Sequence, residues 1–93
     1  YIPIDKTARF DFLKHIERET KKYGTTHFFI ETPFRNNHML EDLLKALDNG
    51  TKLCIACDIN LPKEFIRTST IGDWKINAAP DLHKRPAVFL IGK

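Results

Sequence analysis

Glu31 and Asp58 are the two residues of this chain best placed to do chemistry. Each follows an apolar run: His27-Phe28-Phe29-Ile30 leads into Glu31, and Leu53-Cys54-Ile55-Ala56-Cys57 leads into Asp58. Short runs of this kind, rich in aromatic and β-branched residues, read as buried strands. Both acids therefore stand at the carboxyl ends of strands, where open α/β sheets bind their ligands. Arg35 lies four residues beyond Glu31. The chemistry on offer is a pair of carboxylates sharing a proton, or a ligand-binding edge with one acid and one base. The plainer alternative is two ordinary loop acids. No dinucleotide fingerprint, Walker loop, nucleophile elbow or HExxH pair is present. With four glycines in all, there is no phosphate cradle.

Cys54 and Cys57 form a CxxC. A redox pair needs a helix N-terminus to lower its thiol pKa. These cysteines instead sit within a strand-like run, where residues three apart point to opposite faces. The histidines, at 15, 27, 38 and 83, are scattered. Neither a second CxxC nor a close histidine pair completes a metal site, so no metal is expected. Free structural thiols fit a reducing, cytoplasmic setting.

The elements that must position these residues follow in order. Thr7 caps a first helix that runs to about Tyr23, with Phe10, Leu13, Ile16 and also Ile4 as its apolar stripe and Gly24 as its stop. Residues 1–6, with Pro3, precede it as an extended lead-in. Glu17 and Lys21 pair at i,i+4 on its outer face. After the strand of residues 27–30, Thr32 and Pro33 open a second helix. Met39, Leu40, Leu43, Leu44 and Leu47 give it an apolar face, and Asn49-Gly50 end it. A strand over 51–58 follows, apolar on both faces as a central strand is. Next come a turn-rich connection through Pro62, an edge strand over 64–68, and a short helix over 70–75 capped by Ser69. Trp74 anchors that helix to the body. Pro86 leads into a last strand over 87–91, also buried on both faces. This order predicts an α/β fold: a single small three-layer domain with a mixed, mostly parallel sheet of about four to five strands.

Size and composition agree with one domain. The chain has 93 residues, 42% apolar and 29% charged, an ordinary globular balance. Its 15 bases and 12 acids leave a charge of +3, spread along the chain rather than clustered as in a dedicated nucleic-acid domain. No run approaches the roughly 20 apolar residues that span a bilayer, so no membrane association is expected. The chain starts at Tyr1 without a signal peptide, and reads as a piece cut from a longer protein.

Phe29-Ile30-Glu31-Thr32-Pro33-Phe34-Arg35, followed by Leu40-Glu41-Asp42-Leu43, resembles a phrase of the type F-Y-E-[ST]-x-H-R with a following L-E-D-L helix. That phrase belongs to the tetrapyrrole (corrin/porphyrin) methylase superfamily, and within it to the ribosomal RNA small-subunit ribose 2′-O-methyltransferase branch. Tyr1-Ile2-Pro3 with Asp5-Lys6 is similar to the tail of that branch's G-F-L-P-x-K stretch. Residues 54–60 resemble its V-A-R-E-L-T-K strand, and residues 85–92 its closing P-x-(apolar strand)-G. Here Ile30 replaces the family's tyrosine, Phe34 its histidine, and Cys57-Asp58 its Arg-Glu pair.

The resemblance implies the C-terminal lobe of a two-lobe enzyme, with S-adenosylmethionine held between the lobes and the glycine-rich motif in the other lobe. Ile30, Glu31, Thr32, Ala87 and Val88 would line the cofactor cleft, largely through backbone. Arg35 and Asp58 would face the substrate, Arg35 by steering a phosphate or by pairing with Glu31. Ribosomal RNA, or the small ribosomal subunit, is the implied substrate and a homodimer the implied assembly of the full-length protein. A tetrapyrrole or other small-molecule methylase is the first alternative. A non-catalytic α/β dimerisation or ligand-binding module is the second. The sequence names no general base, and the isolated fragment is expected to be inactive.

Overall fold

A computed structural model describes residues 5–92. The element order is α1 (Lys6–Tyr23), β1 (His27–Ile30), a 3-10 turn (Pro33–Arg35), α2 (Asn36–Ala46), β2 (Lys52–Cys57), β3 (Phe65–Thr70), α3 (Ile71–Ile76) and β4 (Ala87–Gly92). Residues 1–4 of the expected lead-in over 1–6, and Ile4 as part of the first helix stripe, lie outside the described residues, while Asp5 and Lys6 already belong to the start of α1.

The four strands form one sheet in the order β1-β4-β2-β3. Every neighbouring pair is antiparallel, which corrects the expected mostly parallel sheet. The cause is an insertion. β1 and β2 run the same way and are joined by α2, as in a βαβ unit. β4 lies between them, antiparallel to both, with Phe28 opposite Leu90 and Leu90 opposite Cys54.

The helices cover one face of this sheet, so the described residues form two layers and not three. Phe29, Leu53, Ile55, Cys57, Ala87, Phe89 and Ile91 all point to that face. They pack with Leu13 and Ile16 of α1, Met39, Leu43 and Ala46 of α2, and Ile71 and Trp74 of α3. The other face carries Phe28, 72% exposed, Ile66, 56% exposed, and the half-buried Val88 and Leu90. β4 thus alternates buried and half-buried residues, where burial on both faces was expected. Trp74 is fully buried and donates Nε1–H to the Leu53 carbonyl at 2.9 Å. It anchors α3 as the sequence indicates, with the Arg67 guanidinium over its ring at 3.8 Å.

Leu13 and Ile16 of the expected α1 stripe are buried, but the buried face is wider and more polar than expected. Arg9, Leu13, Ile16, Glu17 and Thr20 face inward, while Phe10 is 37% exposed. Asp5, not Thr7, caps the helix: its carboxylate accepts from the Ala8 N–H at 3.0 Å. Gly24 ends the helix with φ 70°, a left-handed position that suits glycine. α2 begins later than expected. Thr32 makes no side-chain cap, and Pro33 opens a 3-10 turn before Asn36 starts the α-helix. α3 is capped by Thr70, whose Oγ1 accepts from the Asp73 N–H at 3.2 Å, rather than by Ser69.

Glu17 is buried, not on a solvent face. Its Oε2 accepts from the Asp48 N–H at 2.7 Å and the Thr51 hydroxyl at 2.6 Å, which pins the α2–β2 turn to α1. Lys21 pairs with Asp48 instead. A buried carboxylate with two donors is worth more than a surface pair, because removing it strands both donors. Glu17→Ala should therefore lower unfolding stability by roughly 2–4 kcal/mol in urea titration. A loss under about 1 kcal/mol would mean that the turn is held without it.

Cys54 and Cys57 are free and face opposite sides of the sheet, Cys57 in the core and Cys54 half-buried on the open face. Burial pushes the Cys57 thiol up from its ordinary pKa, so it stays protonated and poorly nucleophilic. Iodoacetamide at pH 8 should leave Cys57 unmodified in the native protein and label it only in denaturant, as read by peptide mass mapping.

Candidate functional site

The ends of β1 and β2 and the start of β4 meet at one edge of the open sheet face. Ile30 lies opposite Val88, Val88 opposite Ala56, and Ala56 opposite Ile66. The first three of these residues floor a cleft of about 570 Å³. One wall is Asp58, Ile59 and Leu61 after β2. The other is Glu31, Thr32 and Pro33 after β1, with Pro86 and Ala87 closing the end. The volume lies within the usual range for small-molecule sites, and an apolar floor with a few polar groups is their usual lining.

The structure brings Ile30, Glu31, Thr32, Asp58, Ala87 and Val88 together in this cleft. Arg35 is not part of its lining. It borders a separate, charged hollow with Lys6, His38, Glu41, Asp42 and Lys45. Its Nε stands 3.7 Å from the Glu31 carboxylate, so pairing with Glu31 is the contact it makes here.

Glu31 is committed within the fold. Its Oε2 accepts from Arg9 Nη2 at 2.7 Å, and its Oε1 from the Thr32 N–H at 2.9 Å. Arg9 is 2% exposed and also donates from Nη1 to Asp42 at 3.1 Å. Asp58 has a different partner: its Oδ2 accepts from Arg85 Nε at 2.5 Å. Each acid therefore has its own guanidinium, and the two do not form a proton-sharing pair. Hydrogen bonding to Asp58 raises the Arg85 pKa further, so the guanidinium stays charged. The Asp58 side chain is 10% exposed, and its Oδ1 has no partner among the described residues. That oxygen is the polar group left over for a ligand.

The loops around the cleft are held in unusual backbone conformations. Asp58, Asn60 and Lys84 have φ of 52°, 65° and 61°. Asp and Asn adopt this region at low cost; a lysine there needs outside support. The Lys84 N–H donates to the Pro33 carbonyl at 3.0 Å, tying the pre-β4 loop to the turn after β1. Asn36, fully buried, donates from Nδ2 to the carbonyls of Leu82 and Arg85, at 3.2 and 2.5 Å. Asn37 Oδ1 accepts from the Leu82 N–H at 3.0 Å. Arg9, Asn36, Asn37 and Arg85 are the site's supporting residues, and none was singled out from the sequence. The available signal was Asn36-Asn37 at the start of a helix, where Asn is more often a cap than a buried brace.

Among the described residues, no group of His, Cys, Asp and Glu side chains is arranged to hold a metal ion. No described helix is long and apolar enough to cross a membrane.

Breaking the Arg9 bridge takes from Asp42 its guanidinium and leaves Glu31 only the more distant Arg35, 3.7 Å away. Arg9→Leu should therefore destabilise the protein by about 3–5 kcal/mol. Arg9→Leu combined with Glu31→Leu should recover part of that loss in a denaturation cycle. An additive result would mean that the two residues act independently.

No family model and no curated protein matches this chain. A solved structure, described as the crystal structure of the methyltransferase CobJ, matches it with a TM-score of 0.52 and 20% sequence identity. The match covers 97% of this chain and 38% of that one. The chain thus has the fold of part of that methyltransferase, over little more than a third of its length.

Proposed function

We propose that this chain is one lobe of an S-adenosylmethionine-dependent methyltransferase, and that the cleft between β1, β2 and β4 is its half of the cofactor site. The observation that carries this reading is the convergence of Ile30, Glu31, Thr32, Ala87 and Val88 on one cleft. The phrase that resembles the tetrapyrrole methylase superfamily nominates those residues, and a fold shared with part of a methyltransferase supports them.

The residues fit the cofactor. The floor of Ile30, Val88 and Ala56 offers an apolar surface to the face of a purine ring and excludes water from it. Asp58 Oδ1 accepts from an amino or hydroxyl group. When bound, S-adenosylmethionine supplies a methyl group on a sulfonium, ready for attack by an oxygen, nitrogen or carbon nucleophile. Glu31, held by Arg9, fixes the backbone direction of the turn after β1. Catalysis by this lobe is a matter of positioning, because both of the cleft's acids are already paired with arginine.

Ribosomal RNA is the substrate we propose, on the strength of the Glu31–Arg35 phrase. The apolar floor suits a base or nucleoside, not a phosphate chain. RNA would run outside the cleft, where Arg35 and Lys84 present charge. A homodimer and a cytoplasmic setting complete the proposal; the two free thiols support the latter.

Calorimetric titration of S-adenosylmethionine into the full-length product of this gene, beside this fragment, tests the reading. Micromolar binding to the full-length protein and little to the fragment is expected. Ribosomal RNA and tetrapyrroles, offered in turn to the binding protein, then separate the substrate classes by methyl transfer. No binding to either protein would leave a non-catalytic interaction module as the working description.

A further inference from the structure

We infer that Arg85 is the positioning residue of the cleft: it latches the loop after β2 so that Asp58, Ile59 and Leu61 form a wall. The identity of the ligand rests on the methyltransferase reading above; the latch itself does not.

The loop over residues 58–64 has little else to hold it. Ile59 and Leu61 are about half exposed, so apolar burial contributes little. Its own hydrogen bonds are local. The Leu61 N–H donates to the Asp58 carbonyl and the Glu64 N–H to the Leu61 carbonyl, both at 2.9 Å. The Asn60 N–H donates to Glu64 Oε1 at 2.8 Å. These bonds shape two successive turns without attaching them to the body. At the loop's first residue, the Asp58 N–H donates to the Pro86 carbonyl at 3.0 Å.

Arg85 makes the attachment beyond that point. Nε reaches Asp58 Oδ2 at 2.5 Å, and Nη2 reaches the Lys63 carbonyl at 2.9 Å. One guanidinium edge thus grips both ends of the loop. Nη1 donates to the Asp81 carbonyl at 3.2 Å, which closes the side chain onto its own loop. The Arg85 backbone is fixed in turn by Asn36 of α2. The latch therefore runs from a helix in the core, through one side chain, to the far wall of the cleft. It leaves Asp58 Oδ1 as the free acceptor and sets where that oxygen stands. A planar fork with several donors spans these acceptors at once. A lysine ammonium on a flexible stem is a single point and cannot.

The test uses the full-length gene product with Arg85→Gln, Arg85→Lys and Asp58→Asn. Asparagine accepts the left-handed backbone at 58, so the last variant removes charge without adding strain. Amide hydrogen exchange is read at Asn60, Leu61 and Glu64 without ligand. Arg85→Gln should speed exchange there about tenfold or more while β2 and β4 keep their protection. Arg85→Lys should fall between, and adding Asp58→Asn to Arg85→Gln should speed exchange no further. Unchanged exchange at these three amides, or acceleration spread evenly over the chain, would overturn the latch.

Titration with S-adenosylmethionine then reads the consequence. Kd should rise about tenfold in Arg85→Gln, with an overlapping rather than additive effect of Asp58→Asn. A loosened loop with unchanged Kd would overturn the positioning role. If the unaltered protein binds no S-adenosylmethionine, the cofactor reading fails, while exchange still decides the latch.

Discussion

A buried guanidinium sits where three elements meet. Arg9 projects inward from α1, takes the Glu31 carboxylate at the end of β1, and takes Asp42 of α2. Removing an arginine and a carboxylate from water is costly, and their attraction repays that cost only when geometry is right. The bridge therefore contributes more to arrangement than to net stability. It fixes how α1 sits on its neighbours, and this sets which residues of α1 face inward. It also fixes the direction in which the chain leaves β1, hence the course of residues 31–33 along the cleft.

The same logic recurs elsewhere in the fold. Glu17 holds the α2–β2 turn, Asn36 and Asn37 hold the loop before β4, and Arg85 holds the loop after β2. Glu17, Asn36 and Asn37 reach out from helices and Arg85 from the loop before β4, and each satisfies groups on an irregular segment. In a chain this short, the apolar core lies wholly between the helices and one face of the sheet. The loop before β4 enters it through Leu82, the loop after β2 does not, and polar braces fix both. The open face keeps Phe28 and Ile66 exposed, and its apolar surface runs without interruption into the cleft floor.

How much was legible in the sequence follows from what carries the pattern. β1 was legible to the residue, because His27 to Ile30 is bounded by a glycine-led turn and by Thr32-Pro33. The last strand and the anchoring Trp74 were legible for the same reason, a sharp change from polar to apolar. Strand direction was not legible. A strand, a helix and a strand look alike whether the two strands are neighbours or are separated by a third, and only β4's distant pairing decides. Leu13 and Ile16 marked the buried face of α1, but Arg9 and Glu17 were missed from it because charge signals solvent until its partners are known. Those partners, Glu31, Asp42, Asp48 and Thr51, lie at least 20 residues away in the chain. Glu31 and Asp58 as neighbours of one cleft were legible because each ends a strand. Arg85, which holds one of them, was hidden in a polar loop.

β4 is the last of the four strands in the chain and the second in the sheet, paired on both sides. Until it has emerged from the ribosome, β1 has no neighbour to pair with, and β2 has only β3. The nascent chain can form its helices and the β2–β3 hairpin early, but the sheet is completed only by residues 87–92. Its pairings join residues 27–30 to 88–91, about two thirds of the chain apart, and contacts so distant make folding slow. Removal of residues 87–92 would take away the strand that joins the two halves of the sheet. The floor of the cleft would then vanish along with the sheet that bears it.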